Sequence, residues 1–90
     1  MSFEFTISQK LEGTLHKLAR KDRSLAIAVR KKIHQIISCN TVSIQRFKNL
    51  KGSMSKFKRV HIGSFVLIFK VKDNAIIFED LTHHDNAYTR

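Results

Sequence analysis

The feature that most limits what this chain can fold into is a change of hydrophobic period partway along it. Between Leu11 and Ile37 the apolar residues recur at helical spacing, first as Leu11, Leu15, Leu18 and Ala19, then as Leu25, Val29, Ile33, Ile36 and Ile37. Residues three and four apart share one face of a helix, so each set draws one apolar stripe. From Phe57 onward the period becomes two, which is the spacing of a strand whose side chains alternate between faces. Helical segments followed by a run of strands predict an α+β chain.

Local signals place the elements. Phe3, Phe5 and Ile7 alternate with Glu4 and Thr6 and predict an N-terminal strand. Ser8 then stands where a helix N-cap is wanted, opening a helix to about Arg20 in which Gly13 is a mild weakness. Asp22 can cap the second helix, so the pair reads as a helical hairpin. From Asn40 to Ser55 turn-forming residues dominate, and only Ile44, Phe47 and Leu50 can anchor the connection. Three strands are expected after it, Phe57–Ile62, Phe65–Lys72 and Ala75–Leu81, joined at Gly63-Ser64 and Asp73-Asn74 as an antiparallel β-meander, with a polar tail from His83 to Arg90. Asp73 and Asn74 tolerate positive φ better than most residues. The run Phe65-Val66-Leu67-Ile68-Phe69 is apolar on both faces, which places its strand centrally in one sheet with the helices packed on one face.

Composition narrows the function. The 90 residues fit one domain, residues 1–90, with one modest core. Seventeen Lys and Arg against seven Asp and Glu give a net charge of +10, more than solubility requires. A polyanion is the natural partner, because each neutralised phosphate releases counterions. The longest apolar run is the five residues Phe65–Phe69, far short of the ~20 that a membrane span needs. The alternating N-terminus lacks the basic and apolar regions of a secretory signal. Cys39, the one cysteine, leaves no internal disulfide or cysteine-rich zinc site and suits a reducing, cytoplasmic setting.

Two clusters carry candidate chemistry. Lys48, Lys51, Lys56, Lys58 and Arg59 accompany Phe47 and Phe57, and strand alternation puts Phe57, Arg59 and His61 on one face and Lys58, Val60 and Ile62 on the other. A fixed cation beside a titratable imidazole can address one phosphate, as a solvated sheet face also could without function. The tail supplies His83, His84, Asp85, Tyr88 and Arg90, with Tyr88 four residues after His84, a spacing that on a helical turn would put phenol and imidazole on the same side. Together they could cleave a phosphodiester with no cofactor or metal: one group takes the 2′-OH proton, one protonates the leaving 5′-oxygen, and cations stabilise the phosphorane. A metal reading of His83-His84 is weak, since neighbouring side chains diverge and no H-x-x-x-H helix exists. Glycine-rich phosphate loops, the G-x-S-x-G elbow and the motifs of RNA-binding β-platforms are absent.

The ordered set Leu50-Lys51-Gly52, Arg59-Val60-His61-Ile62-Gly63-Ser64-Phe65, and His83-His84-x-x-x-Tyr88 resembles the RelE/ParE superfamily of toxin-antitoxin toxins, the RelE branch best, over nearly the whole chain. The resemblance implies an endoribonuclease that enters the ribosomal A site and cuts mRNA through its 2′-OH, inhibiting translation, with a cognate acidic antitoxin as partner. Carried over by motif, the catalytic set would be Lys58, Arg59, His61, His84 and Tyr88; the basic patch and the tail cluster add Lys48, Lys51, Lys56, His83 and Arg90 as expected RNA contacts. Two positions depart from the family pattern: Val66 replaces the arginine after the turn aromatic, and His84 replaces the tail arginine. Either His61 and His84 act as acid and base instead, or cleavage is weakened. A ParE-like toxin that binds DNA gyrase, and a noncatalytic RNA- or ribosome-binding module, are the alternatives.

Overall fold

The computed structural model describes residues 3–50, 52 and 55–84. Its elements, in chain order, are β1 (Glu4–Ile7), α1 (Gln9–Lys21), α2 (Arg23–Ile37), a 3-10 turn at Ser43–Arg46, β2 (Lys58–Ile62), β3 (Phe65–Lys72) and β4 (Ala75–His83). Both helices begin where the capping residues stand. The Ser8 hydroxyl accepts the Leu11 amide at 3.1 Å and the Asp22 carboxylate accepts the Leu25 amide at 3.1 Å, each satisfying one donor that the first turn leaves without an intrahelical partner. Between β2 and β3, Gly63 adopts φ +60°, and between β3 and β4 Asp73 takes φ +56°, so only one residue of the Asp73-Asn74 pair uses the left-handed region.

The strands form one open mixed sheet in the order β1-β4-β3-β2. The three later strands pair antiparallel as a meander, and β1 adds to the far edge parallel to β4, with Phe5 opposite Ile76 and Ile7 opposite Phe78. One face of the sheet receives the helices. Leu11 and Leu15 from α1 and Val29, Ile33 and Ile36 from α2 pack with Ile62, Leu67, Phe69, Ile76, Phe78 and Leu81. Phe47 closes the core edge-on against Phe69, their centroids 5.6 Å apart at 82°. The predicted α+β architecture with helices on one face is what the chain adopts, and no helix among the described residues is long and apolar enough to cross a membrane.

One boundary differs from expectation. Strand β4 runs on to His83, two residues past the expected Leu81, because a bulge lies where β3 passes from Ile68 to Phe69. Ile68 faces Asp80 while Phe69 faces Phe78, so Glu79 is the extra residue. A bulge of this kind lengthens one strand by one residue against its partner, which carries β4 to a pairing of His83 with Phe65. The loop from Asn40 also has more order than its composition suggests: the Asn40 side chain accepts the amides of Val42 and Ser43, at 3.0 and 2.7 Å, and the short turn that follows buries Ile44.

Candidate nucleic-acid interface

The sheet face turned away from the helices is where the basic residues of β2 come together. Side-chain alternation sends Lys58, Val60 and Ile62 toward the core, and Arg59 and His61 to the open face. Cross-strand register then fixes their neighbours: Arg59 stands opposite Ile68 and His61 opposite Val66, with Asp80 and Thr82 of β4 next in those rows. Val66 and Ile68 are 0% and 8% exposed although they point away from the helices. The floor under Arg59 and His61 is therefore apolar, which explains why the run Phe65–Phe69 carries no alternation.

On that floor Arg59 Nη1 approaches His61 Nε2 to 3.5 Å. A guanidinium only donates, so this contact is a hydrogen bond when Nε2 carries a lone pair, the state in which an imidazole can take a proton. His84 completes the row. Its backbone amide donates to the Ser64 carbonyl at 2.8 Å, stapling the end of β4 onto the β2–β3 turn, and its ring lies 5.3 Å from that of His61, tilted by 36°. Residues 25 and 23 positions apart from His84 in sequence, Arg59 and His61, are thus in one contiguous row.

Other expected site residues lie elsewhere. Lys58 is 7% exposed, and its ammonium donates to the Phe47 carbonyl and to Asn49 Oδ1, both at 3.1 Å. It sits on the core side of β2, away from Arg59, and fastens the preceding loop to the sheet. His83 packs edge-on against Phe65, at 5.5 Å and 73°, on the helix side, so the two adjacent histidines diverge as alternation requires. Lys48 is exposed, and its carbonyl accepts the Arg59 amide at 2.9 Å, bringing it alongside the edge of β2. Lys56 is exposed with its ammonium 6.0 Å from the Phe57 ring centroid. Lys51, Tyr88 and Arg90 lie outside the described residues.

Sequence reasoning overlooked Lys70. This β3 residue shares the open face with Val66 and Ile68, and its ammonium lies 5.4 Å from the centroid of the Phe57 ring. The signal was present: a two-residue turn at Gly63-Ser64 pairs Ile62 with Phe65 and Lys58 with Phe69, so the next pair outward is Phe57 with Lys70. Asn49 was also overlooked, and no local pattern marks it as an acceptor for Lys58. Among the described residues no three His, Cys, Asp or Glu side chains are grouped closely enough to hold a metal ion.

No family model matches the chain. It is 40% identical over 98% of its length to a protein of Methanocaldococcus jannaschii described as a candidate toxin, RelE4, and the match covers 93% of that relative. Among solved structures, the fold is similar to a YoeB/ParE toxin from Agrobacterium tumefaciens, with a TM-score of 0.75, 11% identity and coverage of 90% of this chain and 98% of that one. It is similar also to the DinJ-YafQ toxin-antitoxin complex of E. coli, with a TM-score of 0.71, 19% identity and coverage of 98% and 99%. Sequence identity across nearly the full length, the shared fold and the ordered motifs from Leu50 to His84 lead to one assignment: the chain belongs to the RelE/ParE superfamily of toxin-antitoxin toxins, in its RelE-like branch.

Proposed function

We propose that this toxin is a metal-independent endoribonuclease that cuts mRNA in the ribosomal A site and so halts translation. The observation that carries the reading is the row Arg59, His61 and His84 on an apolar floor. Once the Arg59 guanidinium turns to the substrate phosphate, the Nε2 lone pair of His61 is released and removes the proton from a ribose 2′-OH. The freed 2′-oxygen forms a bond to phosphorus, and the bond from phosphorus to the 5′-oxygen breaks. His84 gives its proton to that 5′-oxygen, leaving a 2′,3′-cyclic phosphate and a 5′-hydroxyl. The Arg59 guanidinium stabilises the charge on the phosphorane, a contribution larger over a buried apolar floor than in open water. Two imidazoles thus take the acid and base roles that Val66 and the tail position do not supply as arginines.

In this reading Lys58 positions the loop before β2 and does not hold the phosphate, because its donors are turned to Phe47 and Asn49. A cognate antitoxin with an acidic segment fits the same basic face, and the DinJ-YafQ assembly supports a partner of that class. The test is primer extension on a translated reporter mRNA after induction of the chain, beside His61→Ala, His84→Ala and Tyr88→Phe. Discrete cuts within translated codons, lost in both histidine variants, are expected, and loss in Tyr88→Phe would add that phenol to the site. Arrested growth with intact mRNA would overturn the nuclease reading and direct attention to DNA gyrase.

A further inference from the structure

The row on the open face does not stop at Arg59. Phe57 continues it, half-buried and outside the core packed against the helices, with the ammonium of Lys70 5.4 Å and that of Lys56 6.0 Å from its ring centroid. We propose that Phe57, with Lys70 and Lys56, is a base-stacking subsite for single-stranded RNA, lying beside the phosphodiester that Arg59, His61 and His84 address. The inference rests on the reading of this face as the RNA site and adds to it the path of the strand.

Three features carry it. An aromatic ring flanked by cations is the chemistry of a single-strand platform: the ring stacks any base, and the cations meet the phosphates on either side. Spacing is the second. At about 3.3 Å per residue, the backbone from Phe57 to His61 spans ~13 Å, which an extended strand crosses in roughly two nucleotides, so a base on Phe57 and a scissile phosphate at His61 belong to one short segment. The third is charge. Lys56, Lys70 and Arg59 surround the ring end of the face, while Asp80, the acid opposite Ile68, is ion-paired with Lys10 at 3.1 Å. RNA is favoured over an acidic peptide as occupant because a peptide carboxylate has no use for the phenyl between the cations.

The test uses the full chain and a fluorescein-labelled 2′-O-methyl hexanucleotide, which cannot be cleaved through a 2′-OH, read by anisotropy. Phe57→Leu keeps apolar bulk and should weaken binding by about five-fold or more, whereas Phe57→Trp should retain it, because stacking rather than burial is at stake. With 2-aminopurine at successive positions, emission should be quenched at one position in the parent and recover in Phe57→Leu. Lys70→Gln should weaken binding without moving the thermal midpoint. Phe57→Leu binding as tightly as the parent, while Arg59→Ala binds more weakly, would overturn the stacking subsite and leave the RNA face standing. If neither substitution weakens binding, or the parent does not bind the hexanucleotide, the stacking subsite is overturned, while the mRNA cuts mapped by primer extension decide the nuclease reading separately.

Discussion

Lys58 and Arg59 are neighbours in sequence and opposites in role. The ammonium of Lys58 has two neutral oxygens as partners beneath a 7% exposed side chain, so removing it strands the Phe47 carbonyl and the Asn49 amide oxygen. Both hydrogen bonds are part-buried, so leaving these acceptors without their donor costs at most the roughly 1–3 kcal/mol of fully buried ones. Lys58→Met, which preserves the stem, should therefore lower the unfolding free energy by up to that amount, read as a lower denaturant midpoint at unchanged slope, whereas Arg59→Ala should move it less. RNA affinity should respond in the reverse order. A Lys58→Met chain of parental stability would show that the loop does not depend on the clamp. Alternation in the sequence already separated the two residues onto opposite faces. What it could not supply was the pair of acceptors, which come from nine and eleven positions upstream through a loop with no repeating pattern.

Among the elements, α1 and β4 are joined at their most irregular points. The Ser8 hydroxyl accepts from Leu11 and donates to the carbonyl of Glu79, at 2.6 Å, the extra residue of the β4 bulge. The Asp22 carboxylate caps α2 from an exposed position. A cap alone is worth about 1 kcal/mol, and a second, part-buried hydrogen bond adds about 1 kcal/mol more. Ser8→Ala should accordingly lower the thermal midpoint further than Asp22→Ala, and equal losses would mean that the Glu79 contact contributes nothing. Both caps were legible as residue types before helical runs. The bulge was legible only in part: Ile76 and Phe78 fall on even positions and Leu81 on an odd one, a change of parity with Glu79-Asp80 between them. Read as regular alternation, the strand ends at Leu81; read as a bulge, it carries His83 and His84 up to the β2–β3 turn. That extension brings His84 to His61, so the candidate site depends on the element the sequence described least well.

For the whole molecule, a net charge of +10 predicts affinity for any polyanion but does not say where it binds. Family membership and fold were legible because they depend on period, caps and ordered motifs; the binding face was not, because cations occur on both helices as well as on the sheet. Salt dependence separates the two contributions. Each phosphate neutralised on a single strand adds about 0.7 to the slope of log affinity against log salt. Replacing Arg59 and Lys70 by Gln should lower the slope for the hexanucleotide by roughly 1.4, since both stand on the open face. Replacing Lys17 and Lys21 by Gln removes the same charge from exposed positions of α1 and should leave the slope nearly unchanged while modestly slowing association through the weaker long-range field. Equal falls in slope for the two double variants would mean that the strand is held by net charge with no preferred face, and the row from Phe57 to His84 would then have no claim on RNA that the rest of the surface lacks.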